Sequence, residues 1–187
     1  MNAAHLEYCS SEDWRRRVQE VILPEALRGV DLGDEAIEIG PGPGFTTDVL
    51  RTLTGRLTAV EIDERLSASL SERMKGANVD VVLGDATRLD FPAKHFTGAA
   101  SFHMLHHIEP ADAQDRVFAE LARVLVPGAV LVAADGTYNE ATAAFHEDDT
   151  YNPIDPDDLE GRLAAAGFGN IEVRTYEPGW VCTARAG

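Results

Sequence analysis

The chain has only two cysteines, Cys9 and Cys182, among its 187 residues. Two cysteines give neither a disulfide framework nor a metal-ligand spacing. Both are expected as reduced thiols in a cytoplasmic protein, one of them inside a late strand. No stretch approaches the roughly 20 consecutive apolar residues needed to span a bilayer, and Met1 to Ser10 lacks the basic-then-apolar pattern of a secretory signal. Positive charge is scarce too: 16 Lys and Arg face 32 Asp and Glu, for a net charge of −16. Proteins that hold nucleic acid gain affinity by neutralising phosphates, and here the bases are not gathered into a stripe. The densest basic run, Arg15-Arg16-Arg17, follows Glu12 and Asp13 and reads as a solvated helix face. The expectation is therefore no nucleic-acid partner and no membrane partner. No metal-binding pattern stands out, Asp148 and Asp149 being merely adjacent acids on an apparent loop.

Repeats, low-complexity tracts and Ser/Gly linkers are absent as well, so a single domain over residues 1–187 is expected. A helix is predicted after Ser10, where Asp13 three residues on resembles a capping box. Trp14, Val18 and Val21 follow at helical spacing, and Pro24 is expected to break the helix. Apolar runs then occur at 36–39, 57–62, 79–83, 98–102 and 129–134. They are too continuous for half-exposed alternation and suit strands buried on both faces. Helical patterns lie between them, at Leu66, Leu70 and Met74 and again at Val117, Leu121 and Val124. Strand alternating with helix predicts an α/β fold with a doubly wound, mostly parallel sheet. Asp155 reads as an N-cap with Pro156 at the first helical position, Leu159, Leu163 and Ala166 on one face, and Gly167 at the C-terminus. The last strands, 171–176 and 180–184, are separated only by Glu177-Pro178-Gly179, which permits an antiparallel hairpin and excludes a parallel crossover. Residues 136–154 have no clear period and read as a long loop, a common place for function.

The first strand ends in Gly40-Pro41-Gly42-Pro43-Gly44, and a helix is predicted to start near Thr46. A glycine turn opening a helix lets backbone approach a ligand closely. This one is poorly made for a pyrophosphate, because Pro41 and Pro43 have no amide hydrogen and Glu38 places a carboxylate beside the loop. Acids recur at the next two strand ends, Glu61 and Asp85. In an open α/β sheet the ligand crevice lies outside the carboxyl ends of the strands. Three carboxylates there favour a ligand with positive charge and hydroxyls. S-adenosylmethionine has a sulfonium, an ammonium, a ribose diol and an adenine amine. Glu61 stands 21 positions beyond Gly40 (61 − 40), close to the spacing of an acid that accepts from ribose hydroxyls. Asp85 is placed to accept from the adenine amino group, and Asp63 is well placed to N-cap the helix that follows.

These residues carry a family resemblance. Glu38-Ile39-Gly40-Pro41-Gly42-Pro43-Gly44, Val60-Glu61-Ile62-Asp63 and Gly84-Asp85-Ala86 resemble the first three motifs of class I S-adenosylmethionine-dependent methyltransferases. Residues 96–108, with Leu105-His106-His107, resemble the fourth. Leu125-Val126-Pro127-Gly128-Ala129 resembles the turn into the family's fifth strand, and Ala165-Ala166-Gly167-Phe168 the end of its last helix. The resemblance implies a seven-stranded sheet whose last strand is antiparallel, the cofactor S-adenosylmethionine and the product S-adenosylhomocysteine. It implies cofactor contacts at Glu38, Gly40, Pro41, Gly42, Gly44, Glu61, Ile62, Asp85 and Ala86, with the methionine moiety near Ser101 and Phe102. Thr97 departs from the acid that often follows the aromatic opening the family's fourth strand.

Two segments, 38–44 and 61–63, also resemble ribosomal RNA adenine dimethylases. Those enzymes carry Asn-x-Pro-Tyr or a close variant after the fourth strand, where this chain reads Ser101-Phe102-His103-Met104. The leading expectation is a small-molecule acceptor methylated on oxygen or nitrogen, with the RNA enzyme and a non-catalytic cofactor-binding protein as alternatives. Attack on an activated methyl depends chiefly on positioning, and a hydroxyl or protonated amine also needs a general base, for which histidine suits neutral pH. His103 is the first candidate and His106 the second, while His107 and His146 are weaker ones. Residues 1–30, with Tyr8 and Trp14, and the loop 136–154, flanked by Tyr138 and Tyr151, are expected to form a lid over the acceptor site.

Overall fold

The computed structural model describes residues 2–187, apart from the side chains of Ala3 and Ala4. The five apolar runs become parallel neighbours: β1 (Glu35–Ile39), β2 (Arg56–Glu61), β3 (Val79–Leu83), β4 (Phe96–Phe102) and β5 (Leu125–Gly136). The final pair, β6 (Phe168–Tyr176) and β7 (Gly179–Ala186), is the expected hairpin, and β7 inserts antiparallel between β5 and β6. The result is one seven-stranded sheet of order β3-β2-β1-β4-β5-β7-β6. This is the doubly wound, mostly parallel architecture expected from the alternation of elements.

Successive strand side chains face opposite ways, and the helices cover both sides. Ile37 and Ile39 pack with Val117 and Leu121 of α6 (Ala111–Val124) and with Leu159 and Leu163 of α8 (Pro156–Ala165). Ala36 faces the other layer, where Leu50 of α4 (Phe45–Leu50) meets Val18, Ile22 and Leu23. Each such side chain removed from water contributes about 1.5–3 kcal/mol. Beneath β1, Thr97 accepts from the Glu35 backbone N–H at 3.0 Å and its hydroxyl lies 2.9 Å from the Leu32 carbonyl. A neutral hydroxyl thus ties β4 to the start of β1 at the position where the family often has an acid.

Four expectations need correction. The third apolar run is not buried on both faces: β3 is an edge strand, Leu83 is 55% exposed, and Asp80 pairs with Arg56 at 2.6 Å. Before the Ser10 boundary lies an extra helix, α1 (Ala3–Cys9), capped by Asn2. The next, α2 (Glu12–Arg17), is capped by Ser11 rather than Ser10, with the Ser11 hydroxyl accepting from the Trp14 N–H at 3.1 Å. Nor does Pro24 end the helical run, because a π turn at Val18–Ile22 leads directly into α3 (Leu23–Ala26). There the Leu23 N–H reaches back to the Val18 carbonyl, and Pro24 falls in the first turn of α3, where proline's missing donor is tolerated. Finally, the segment 136–154 contains α7 (Glu140–Phe145), capped by Asn139, which accepts from the Thr142 N–H at 2.8 Å.

Candidate active site

Parallel register aligns the carboxyl ends of four strands. Ile39 lies opposite Val60 and Ser101, and Glu61 lies opposite Leu83. The chain winds outward from β1 to β3 and then returns to place β4 on the other side of β1, which makes this edge a topological switch point. Gly40 leaves β1 at φ +66°, and a Cβ there would lie 2.0 Å from Met104 Cγ. Gly42 also has positive φ, and its N–H donates to Glu61 Oε2 at 2.9 Å. The other oxygen, Oε1, accepts from the Asp63 N–H at 3.0 Å, so the Glu61 carboxylate is fixed between the glycine loop and α5 (Glu64–Arg73). Asp63 caps α5 as expected, accepting from the Arg65 and Leu66 N–H groups. After β3, Asp85 Oδ1 accepts from the Thr87 N–H at 2.8 Å and the Thr87 hydroxyl at 2.7 Å.

These groups border a cavity of about 710 Å³, within the roughly 300–1,000 Å³ range of small-molecule sites. Gly40, Pro41, Gly42, Glu61, Ile62, Asp85, Ala86 and Phe102 all line it. The other three expected contacts stand behind it. Glu38 is buried on the α4 face, where its carboxylate accepts from the hydroxyls of Thr46 and Thr47, so it anchors the loop from beneath. Gly44, at φ +85°, caps α4 with its open side toward Leu70 and Arg73. Ser101 is fully buried in β4. Burial, partly offset by the two threonine hydroxyls and reinforced by nearby Asp48 and Glu61, pushes the Glu38 carboxyl up to about 7. The one arginine on the wall among the described residues, Arg116, is engaged by Asp112 at 2.7 Å. A loop short of amide donors, with Glu61 and Asp85 on the wall, fits a ligand that is cationic and rich in hydroxyls.

A second cavity of about 440 Å³ adjoins the first, and Cys9, Trp14 and His103 line both. Its wall includes Tyr8, Phe145, Tyr151 and Tyr176, with His5, His106 and His146. His5, Tyr8 and Cys9 of α1 line the second cavity, and Trp14 lines both while also packing against the core layer of Val18 and Ile22. Cys9 is no nucleophile at neutral pH, because burial pushes its thiol up to about 11.

His103 sits at positive φ, held by its N–H donating to the Ala134 carbonyl at 2.8 Å. Its ring meets Trp14 edge-on at 5.0 Å, and Nδ1 is 3.9 Å from Asp135 Oδ1. Burial pushes its pKa down to about 4, the neighbouring Asp135 offsetting only part of that, so the ring is neutral at pH 7. His106 lies deeper, with Nδ1 2.6 Å from Asp135 Oδ1 and its N–H donating to Asp135 Oδ2 at 3.1 Å. Burial disfavours its charged form, but the adjacent Asp135 carboxylate outweighs this and raises its pKa. Sequence reasoning missed Met104, Thr87 and Cys9 on the cavity walls. Thr87, two residues past a strand-end acid, was the most findable.

A doubly wound sheet with an antiparallel β7, a glycine loop after β1 and acids at the ends of β2 and β3 defines a class I S-adenosylmethionine-dependent methyltransferase. The chain belongs to the methyltransferase-domain family, which matches residues 37–133. The match takes in the glycine loop, both wall acids and His103. Among solved structures, the PH0226 protein of Pyrococcus horikoshii superposes with a TM-score of 0.80 at 18% identity, over 96% of this chain and 94% of that one. A SAM-dependent methyltransferase from Aquifex aeolicus gives 0.75 at 18% identity, with all of both chains covered. At such identity the likeness is one of fold. Among curated proteins, the probable ribosomal RNA small subunit methyltransferase A of Methanothermobacter thermautotrophicus is 43% identical over 77 residues, 40% of this chain and 28% of that protein. The chain spans about a quarter of the length of the curated relatives it matches, 28% and 22% for two of them.

Proposed function

We propose that this enzyme transfers the methyl group of S-adenosylmethionine to an oxygen or nitrogen atom of a small molecule held in the 440 Å³ cavity. The observation that carries the reading is the pair of adjoining cavities, which share a wall of Cys9, Trp14 and His103. The cofactor supplies a methyl already activated by its sulfonium, so the chain's task is chiefly to hold both reactants in line. Glu61 accepts from the ribose hydroxyls and Asp85 from the adenine amine, while Glu38, Gly44 and Ser101 support the loop and β4 from behind. The ring of His103, neutral at pH 7, takes the acceptor's proton as general base. His106, tied to Asp135, orients the wall of the acceptor cavity. Of the expected lid, α1 with Trp14 and the segment 136–154 close over it, while Val18, Ile22 and Leu23 belong to the core.

The rings of Tyr8, Phe145, Tyr151 and Tyr176 favour an acceptor with a flat or apolar body rather than a splayed nucleotide on a long polyanion. Local identity to ribosomal RNA enzymes supports a second reading, RNA methylation. Against it stand the −16 charge and Ser101-Phe102-His103-Met104 at the place where those enzymes carry a base-gripping motif. The deciding experiment transfers labelled methyl groups into fractionated cell extract. Label in the metabolite fraction is expected, and label confined to RNA would replace this reading with the second. No helix of the described residues is long and apolar enough to cross a membrane.

A further inference from the structure

Imidazole is concentrated where the two cavities meet, with His5, His106 and His146 on the acceptor side and His107 on the wall of the larger cavity. The chain has six histidines, and four of them, His5, His106, His107 and His146, each offer a ring nitrogen within 4.8 Å of the others. They come from three separate places: α1, the 3₁₀ turn Leu105–His107 after β4, and the residue that ends α7. No sequence spacing links them. Ring centroids lie 4.3 Å apart for His5 and His146 and 4.2 Å for His106 and His107.

The hydrogen bonds around the cluster orient three of these rings the same way. His106 turns Nδ1 to Asp135 at 2.6 Å, His5 turns Nδ1 to Asp149 at 3.3 Å, and His146 turns Nδ1 to the Thr142 carbonyl at 2.7 Å. The Thr142 carbonyl can only accept, so His146 carries its proton on Nδ1 and its lone pair on Nε2. The two carboxylates favour the same tautomer in the other two rings. An outer carboxylate or carbonyl that fixes the tautomer and exposes Nε2 is the usual second layer of a metal-bound histidine. Buried nitrogens then lack any partner among the described residues: Nε2 of His106, Nε2 of His146 and Nδ1 of His107. A buried polar atom left unsatisfied costs about 1–3 kcal/mol, and three such atoms in one cluster call for a common partner.

We propose that His5, His106, His107 and His146 bind one divalent transition-metal ion that prefers imidazole, zinc above all, in a closed four-histidine site. Imidazole suits zinc, copper, iron and nickel, and a tetrahedral ligand set without an open position is the structural kind. Zinc–nitrogen bonds of about 2.0 Å put tetrahedral ligand atoms about 3.3 Å apart, so ligand atoms that lie within 4.8 Å of one another have at most about 1.5 Å to draw in around the ion. The ion fastens α1 and α7 to the turn after β4, holding the two covering segments over the acceptor cavity. The site does not depend on the identity of the acceptor.

The test uses the full chain stripped with chelator and titrated with Zn²⁺ against a competing indicator. One equivalent is expected to bind with submicromolar affinity, and Co²⁺ should give the intense visible bands of a tetrahedral site. Loss of an outer partner of a metal site costs about 10–100-fold in affinity, so His146→Ala and His107→Ala should each cost about 100-fold or more. Far-ultraviolet circular dichroism and the melting shift with S-adenosylhomocysteine establish that each variant is folded. Asp149→Asn, which keeps all four rings, should weaken Zn²⁺ by an intermediate factor. Zinc binding that is weaker than micromolar, not stoichiometric, or unchanged in the folded variants overturns the proposal. An octahedral Co²⁺ spectrum does so as well. A chain that binds zinc as expected but methylates nothing in the extract would fail the proposed function and leave the metal site standing.

Discussion

Glu38→Gln isolates one charge beneath the glycine loop. The wild-type carboxyl is buried on the α4 face, and burial pushes it from 4.5 up to about 7, even though the Thr46 and Thr47 hydroxyls favour its ionised form. Asp48 and Glu61 add to the rise. For an acid whose folded pKa exceeds its unfolded value, the folded state holds the extra proton between the two. Stability is then highest below about 4.5 and falls as pH rises to about 7, after which it levels. About 2.5 pH units at 1.36 kcal/mol each gives a loss of about 3 kcal/mol across that window. Glutamine keeps the shape and cannot ionise. Self-repulsion of a chain at −16 also weakens the fold as pH rises, but it does so in both proteins and cancels in the difference. Urea unfolding of both at a series of pH values from 4.5 to 8 gives that difference directly. The variant should gain on wild type by about 3 kcal/mol over the series, with most of the change between pH 5 and 7. A gap that does not vary with pH would mean that Glu38 keeps one protonation state throughout, and would refute the reasoning.

Glu61→Ala should weaken S-adenosylhomocysteine by about 1.5–3 kcal/mol, roughly 10–150-fold in Kd, through loss of charge-assisted hydrogen bonds. Calorimetry showing wild-type affinity in a folded variant would remove the residue from the site. His103→Ala should lower turnover by about 10²–10⁴-fold with cofactor affinity unchanged. Since burial takes His103 to about 4, the wild-type rate should rise through pH 4 and be level above about 5.5, and the variant should lose that limb. A limb near 6.5 in the wild type, or one that survives in the variant, would assign the base elsewhere. Binding to bulk RNA in about 150 mM salt should be weaker than micromolar, because few phosphate counterions can be released by this surface. Tight RNA binding in a filter assay would revive the second reading.

The strands were legible because continuous Val, Ile, Leu and Ala runs carry their own boundaries, and the Glu177-Pro178-Gly179 turn left only one topology for the last two. Most of the wall of the larger cavity was legible for a related reason. Gly40, Gly42, Glu61 and Asp85 sit at strand ends, and parallel register brings strand ends together without further information. Glu38 was visible as an acid, but its direction was not. Alternation along β1 turns it away from the cavity, toward two threonines on α4. Short elements escaped notice: α7 has only six residues, too few for a helical period to emerge. Pro24 misled because a π turn, which shifts the helical frame by one residue, leaves no composition signal. The histidine cluster was the least legible of all, since its members are about a hundred and forty residues apart at the extremes and meet only through tertiary folding.

The wall shared by the two cavities has a kinetic consequence. Among the described residues, Cys9, Trp14 and His103 line both the place proposed for the donor and that proposed for the acceptor. None of them can carry the methyl in transit. Burial holds the Cys9 thiol protonated, the indole of Trp14 is no nucleophile, and His103 on the proposed reading takes the acceptor's proton rather than the methyl. The transfer on the proposed reading is therefore a single displacement within a ternary complex. Both reactants must be seated at once, and the protein's own atoms are left unchanged between turnovers.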